Sequence, residues 1–434
     1  MAEVKEKPSV EAGLGVSEKW DAREAGREVA ETAIKGLSRP PDFFLLFSTI
    51  HYEKHGGFQE FLNGVWDVLP EGTPLVGGTV VGFMNNYGCY THGATALAVS
   101  YPYMDVAVGY GRNTKRNPKR AARQCAEMIK KGLAGSTYKN KFLFNLVSGP
   151  VFIKIPGYGY KKVIDSGLTS KFVISAIKLS RFLVQRGAAR EDEVFEEIVR
   201  NLPDYYMILG TTLDNLKGIC NYQFFNDMIF TNSVVNLGLA TNLNINVCTT
   251  HGMKETDIKF QITKLRNNQI IQKINNKPAL EELYRLLDWP EGFVNDKTME
   301  HTILYYPILL KRGEQEVPVV MPFILKNSIM TPCLIDKGEA KVLTVSGKSL
   351  VNSVQGCLPY SGDTQPEFGL FSNCMTILQA LGSKVNLIRD ETIKSFGKKP
   401  FLMIWSAGEG TYAPKPLFTY ANMSFNSAIF GVKR

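Results

Sequence analysis

The chain has 434 residues, 44% of them hydrophobic, with 50 Lys and Arg against 41 Asp and Glu for a formal net charge of +9. That length exceeds one compact domain of ~100 to 200 residues and predicts two or three. No apolar run approaches the ~18 residues that cross a bilayer, and the charged N-terminus is no secretory signal, so the chain reads as cytoplasmic with no membrane partner.

Residues 1–16 read as a flexible tail. Asp21 to Leu37 has Ala and Val at helical spacing with acids early, an amphipathic helix stopped by Pro40-Pro41. Phe43 to Thr49 (FFLLFST) has the length and composition of a buried strand. In the segment His51 to His55 a four-residue spacing would align two imidazoles for a metal on a helix. The segment follows a strand and ends in Gly56-Gly57, so it reads instead as a polar loop over a cleft. Gly57 to Val68 reads as a helix and Leu75 to Gly78 as a strand. Ala94 to Ser100 and Asp105 to Gly111 look like an antiparallel pair around Tyr101-Pro102-Tyr103. Pro118 to Gly132 is a basic helix. Between Arg112 and Lys141 stand ten Lys and Arg against Glu127 alone. Such a patch suits nucleic acid or an acidic partner, but few aromatics are interleaved for base stacking, and a solvated helix face is the plainer reading.

A second pass begins at Phe142 (FLFNLVSG). Helical patterns cover Gly167 to Arg186 and Asp192 to Asn201, and strands follow at Tyr205 to Leu209, Asp227 to Thr231, Val234 to Ala240 and Ile245 to Thr250. One segment is thereby written twice. Leu69-Pro70 is followed by Gly77-Gly78-Thr79, and Leu202-Pro203 by Gly210-Thr211-Thr212. The spacing is too long for a solenoid, whose periods run ~20 to 50 residues, and suits a duplicated half-domain. A Gly/Thr turn carried by both halves offers backbone donors and hydroxyls to a ligand. Past Lys264 come a helix (ALEELYRLL), strands near Thr302 to Tyr306 and Val317 to Leu325, and the strand EFGLFSN. A long helix, Met375 to Phe396, is weakened at Gly382. The strand FLMIWS and a final alternating run, Leu417 to Phe430, close the chain. The fold class is α+β. An internally duplicated N-terminal domain of mainly antiparallel sheets flanked by helices spans 17–262, with half-repeats about 20–135 and 140–262, and a second α+β domain spans 263–434.

Few constellations carry chemistry. Ser346-Gly347-Lys348-Ser349 lacks the Gly at position 342 that a phosphate loop needs. The seven Cys are odd in number with no CxxC, which suits reduced thiols and no metal site. Cys374 stands between a strand and a helix, where a helix N-terminus would lower a thiol's pKa; a small buried residue at a tight junction is the other reading. Glu409 lies between two glycines and could accept from an ammonium or amide, or be an exposed acid in a turn. His92, His251 and His301 are isolated, and one of them could ligate a haem iron, a structural role being the other reading for each.

These stretches together resemble the FIST (F-box and intracellular signal transduction) proteins. FFLLFST, PLVGGTVVGF and ILGTTLDN carry the likeness in the first part. NKPALEELYRLL, FGLFSNCMTILQAL and FLMIWSAGEGTY with FTYANMSFNSAIFG carry it in the second. The resemblance implies a FIST N-terminal domain over 17–262 and a FIST C-terminal domain over 263–434. It implies a stand-alone sensor rather than an enzyme, binding a small molecule such as an amino acid and signalling through a protein partner, with no resident cofactor. In that family a Gly-Glu pair follows a strand, here Gly408-Glu409, and Cys374 matches a family cysteine, while Ile377 stands where an Arg is common. Some bacterial members bind haem and sense nitric oxide, which keeps a haem sensor open beside a cysteine-dependent enzyme or a basic-patch adaptor. The pocket is expected to be lined by Gly77, Gly78, Thr79, Gly210, Thr211 and Thr212, by His51 and His55, and by Cys374, Trp405, Gly408 and Glu409.

Overall fold

The computed structural model describes residues 9–358, 364–414 and 417–433. The chain builds one unit three times. The first comprises β1 (Glu11–Ser17), α1 (Ala22–Ile34), β2 (Phe43–Ser48), α2 (Phe58–Trp66), β3 (Leu75–Thr79), a hairpin of β4 (Gly82–Asn85) and β5 (Cys89–Tyr90), and β6 (Ala94–Ser100). The second comprises β7 (Met104–Arg112), α3 (Pro118–Gly132), β8 (Asn140–Ser148), the short β9 (Val163–Ile164), α4 (Gly167–Leu183) and α5 (Glu191–Asn201). It continues through β10 (Tyr206–Thr212), a hairpin of β11 (Gln223–Phe225) and β12 (Met228–Phe230), and β13 (Ser233–Thr241).

The third unit opens with β14 (Asn244–His251) and is interrupted by a long insertion. The insertion holds β15 (Lys254–Arg266), β16 (Ile270–Ile274), β17 (Lys277–Pro278), α6 (Ala279–Leu287), α7 (Asp296–His301), β18 (Ile308–Arg312), β19 (Gln315–Val319), β20 (Phe323–Leu325), β21 (Ser328–Met330) and β22 (Gly338–Thr344). After α8 (Gly347–Ser353) the unit resumes with β23 (Thr364–Cys374), α9 (Met375–Leu381), α10 (Asn386–Phe396), β24 (Phe401–Ser406), a hairpin of β25 (Glu409–Ala413) and β26 (Leu417–Ala421), and β27 (Ser424–Lys433).

Three six-stranded sheets result, ordered β1-β6-β2-β3-β11-β12, β26-β25-β10-β8-β13-β7 and β14-β27-β23-β24-β4-β5. Each has one parallel pair, β2 with β3, β8 with β10 and β23 with β24, because a helical crossover joins those strands. The hairpins are exchanged in a ring. β4 pairs with β24, β11 with β3, and β25 with β10, so each unit's hairpin completes another unit's sheet. The insertion, with β9, forms a fourth, nine-stranded sheet.

The registers superpose the three units. Leu45 stands between Val76 and Leu97, Phe144 between Ile208 and Leu237, and Leu370 between Leu402 and Ala428. All nine residues belong to one buried cluster, where the inner faces of the three sheets meet. Large apolar residues at alternate positions of adjacent strands give that shared core, and each side chain of this size contributes ~1.5 to 3 kcal/mol on burial.

The α+β class read from the sequence stands, and several local readings change. The sequence repeat is two copies of three. By register Gly78, not Gly77, matches Gly210, and Ile404 is their third counterpart. Of the 1–16 tail, residues 1–8 lie outside the described residues, and Glu11 to Val16 belong to a strand along β6 that runs to Ser17. β6 and β7 do not pair with each other: β6 joins β1 and β2, and β7 joins β13, because the Tyr101–Tyr103 turn carries the chain from one sheet to the next. Ile303–Tyr305 is a 3-10 turn instead of a strand. The long C-terminal helix breaks where Gly382 takes φ +52°. Strands from both sides of position 262 share two of the three sheets.

Candidate ligand-binding site

Cys374 ends β23 and α9 begins at the next residue. With the loops after β8, β10 and β24 they form one wall of a cavity of about 150 Å³. The inserted segment forms the opposite wall, through Ile303 and Leu304, Val320 to Phe323, and Thr331. The cavity therefore lies outside the carboxyl ends of parallel strands, where sheets of this kind leave a crevice. Its lining is mainly apolar, with polar groups from Glu191, Asp214, Thr331, Thr376, Asn422 and the Gly408 backbone among others.

Glu191 opens α5 and is 4% exposed. Its Oε1 accepts from the Tyr420 hydroxyl at 2.8 Å, while Oε2 has no donor among the described residues. Burial, then the adjacent Asp192 carboxylate, pushes its pKa up to about 7. Gly408 takes φ +80°, and a Cβ there would stand 2.3 Å from Glu191 Oε1, so both backbone conformation and space require glycine. Asp192 pairs with Arg312 at 3.0 Å, and Arg312 also reaches Glu196 at 2.7 Å. Glu409 is fully buried in the first residue of β25. Burial, with the Glu191 charge adding to it, raises its pKa well above the usual carboxylate range; the nearby Cys374 thiol and Ser406 hydroxyl oppose the shift. Three buried carboxyls thus lie close together, and Arg312 is paired with Asp192 of the three. The excess negative charge must be held as protons or met by a ligand's donors, because an unmatched buried charge is too costly.

The Cys374 thiol lies 3.0 Å from Thr376 Oγ1 and is 2% exposed. Burial, then the Glu409 charge, pushes its pKa far above the ordinary thiol value. The lowered pKa expected from a helix N-terminus is not found, since desolvation outweighs the dipole of a helix of seven residues. Asn422 presents an Oδ1 with no donor, and Asp214 accepts from the Gly218 and Ile219 amides at 2.9 and 2.6 Å, which holds one wall in place.

Of the residues singled out in the sequence, Cys374 and Gly408 line this cavity, and Glu409 and Trp405 are buried behind it without lining it. The Gly/Thr segments are strands, not turns, and none of their residues lines it, although the second runs directly into Leu213, which does. A Cβ on Gly77 would stand 1.6 Å from the Leu46 carbonyl oxygen; one on Gly78 would meet Tyr222 O and Thr212 Cγ2, and one on Gly210 would meet Ser372 Oγ at 2.7 Å. These glycines let sheets and strands approach closely, which is a packing role. Thr79 accepts from the Tyr222 amide at 3.0 Å, and Thr211 bonds the backbone of Ala407. Thr212 donates to Asn221 Oδ1 at 2.8 Å and accepts from Gln223 at 2.6 Å. Asn221 also takes the Ser148 hydroxyl, which Lys115 holds from inside the protein. Lys115, counted in the basic patch, is therefore buried. His51, His55 and His92 pack around Trp20, with His92 4.0 Å from its ring centre, and none of the three lines the cavity. His251 is exposed at the end of β14. The sequence reading missed Glu191, Asp192, Arg312, Tyr420 and Asn422. Glu191 and Asp192 fall in the first turn of α5, where acids are ordinary, and only tertiary burial distinguishes them.

Residues 42–277 match the FIST N domain. The match covers more than half of the chain, and the chain belongs to the FIST family, a family of sensory, signal-transduction domains. No curated protein matches the chain. Among solved structures it is similar to the crystal structure of a cyanuric acid hydrolase from A. caulinodans, at 8% identity and a TM-score of 0.32, over 98% of this chain and 100% of that one.

Proposed function

We propose that this chain is a sensor that binds one small hydrogen-bond-donating molecule, an amino acid or a related amine, in the cavity under α9. The observation that carries the reading is a pair of buried acceptors at an apolar cavity, Glu191 Oε2 and Asn422 Oδ1, neither of which has a donor among the described residues. Leaving such atoms unmatched costs ~1 to 3 kcal/mol each, so a ligand N–H that meets them gains correspondingly. A cavity of about 150 Å³ has held a benzene-sized molecule in an engineered protein, which sets the scale of the ligand. The output passes to a protein partner in the cytoplasm, residues 263–434 serve as the FIST C-terminal part, and the insertion closes the cavity. Calorimetry with a panel of amino acids and small amines tests this. Binding that is lost in Glu191→Gln supports it, and no heat from any of the panel with folded protein refutes it.

A further inference from the structure

Helix α4 is apolar on two faces. Ile174, Val173 and Ile177 pack inward with Ile164 and Leu325. Leu168, Phe172, Leu179, Phe182 and Leu183 fall within about a 100° arc of the opposite face at 100° per residue. They are 54 to 82% exposed. Of the fourteen exposed large apolar side chains among the described residues, eight are these five with Val184, Ile153 and Tyr160. That is a patch, not a scatter, and a patch of this kind marks a surface that something covers.

The rim of the patch is basic. Lys154 and Lys161 border an apolar cavity of about 220 Å³ that Phe172 also lines. The Arg116 guanidinium lies 4.3 Å from the Phe182 ring centre, and Lys171 is exposed on α4 itself. Arg112, Lys119 and Arg120 continue the positive surface beyond Arg116. The acid at the start of the helix, Asp165, is bonded by the Tyr158 hydroxyl. A second copy of the chain would bring two such cationic rims together, which disfavours it as the occupant.

We propose that α4 is an interfacial helix that seats this protein on an anionic membrane surface. Its 17 residues span roughly 25 Å at 1.5 Å each. The helix lies flat, with its Leu and Phe side chains at the boundary between headgroups and acyl chains and its basic rim on the phosphates. The sequence expectation of no membrane partner rested on the lack of a spanning run, and a helix in the interface needs none. No helix among the described residues is long and apolar enough to cross a membrane.

The test is flotation of the full chain with vesicles of phosphatidylcholine alone or with about 30% phosphatidylserine, a content that gives the surface a negative potential. Binding to the phosphatidylserine vesicles is expected, at least ~tenfold weaker on phosphatidylcholine alone and in ~0.5 M salt, where the Debye length is short. Phe172→Glu with Leu179→Glu abolishes it, with circular dichroism and thermal midpoint unchanged because both side chains are exposed. Lys154→Glu with Lys161→Glu weakens it without touching the helix. The proposal is overturned by absence of binding to the phosphatidylserine vesicles, or by binding that both double variants retain. It is equally overturned by a dimer in sedimentation that the Phe172, Leu179 variant dissociates while no vesicle binding is seen.

Discussion

Replacing Glu191 by Gln keeps the shape of the side chain and an acceptor for the Tyr420 hydroxyl, and removes the titration. In the native protein burial holds this carboxyl at about 7 against an ordinary 4.5. The folded value lies above the unfolded one, so the group costs nothing below about pH 4.5, and stability is lost as pH rises through about 7. The full difference corresponds to about 3 kcal/mol, of which about 2 kcal/mol falls between pH 5.5 and 8.5. Urea unfolding at a series of pH values measures it. The gap between Glu191→Gln and the native protein should move by about 2 kcal/mol in favour of the variant across that window. Asp192 and Glu409 are also raised by burial, and because the Glu191 charge adds to the Glu409 shift, the difference between the two proteins reads Glu191 together with its coupling to these neighbours. Parallel curves for variant and native protein would refute the placement of a buried, protonatable Glu191 at the cavity.

Gly408→Ala forces a Cβ into the Glu191 carboxyl at a φ of +80°, and it should cost at least ~2 kcal/mol in urea unfolding and abolish ligand binding; a change under ~0.5 kcal/mol would be incompatible with the geometry. Gly77→Ala places a Cβ against the Leu46 carbonyl and should cost more than ~3 kcal/mol or prevent soluble expression, whereas Gly72→Ala, with open space but φ +80°, should cost only ~1 to 2 kcal/mol. Iodoacetamide at neutral pH should label half-buried Cys248, whose pKa is lowered by the Cys357 thiol, ahead of Cys374; peptide mass spectrometry that finds Cys374 labelled first would restore it as a nucleophile.

Local chemistry made much of the fold readable. Pro118 at the start of α3 and Ala, Cys and Ile at helical spacing along it place both ends of that helix correctly. FFLLFST announced β2, and Gly382 announced the break in the last long helix. The third unit was not readable, for two physical reasons. Ile404 occupies the position that glycine holds in the other two units, so the strand has no common signature. The insertion also separates β14 from β23, so the unit is not contiguous. The Gly/Thr repeat was visible but its meaning was not, because a glycine that admits a neighbouring sheet and one that admits a ligand look alike in sequence. The site was half visible. Gly408 and Cys374 stood out through their flanking strands, whereas Glu191 owes its perturbed titration first to burial and then to the adjacent Asp192, and that burial is a tertiary fact the local sequence does not foretell.

The ring of exchanged hairpins has a consequence for how this molecule is made. Asn85 finds its partner in Leu402, Phe224 finds Gly77, and Leu209 finds Gly410. During synthesis the first unit emerges with one sheet lacking its last two strands and a hairpin with nothing to join. The second unit repairs the first and is itself left open. Only when β24 to β27 leave the ribosome can all three sheets be completed, and until then additional unpaired strand edges are exposed to other chains. Such non-local pairing makes the closing step slow and makes it all-or-none. Removing β24 to β27, from Phe401 onward, takes partners from two sheets at once, so this last stretch acts as the latch of the whole ring.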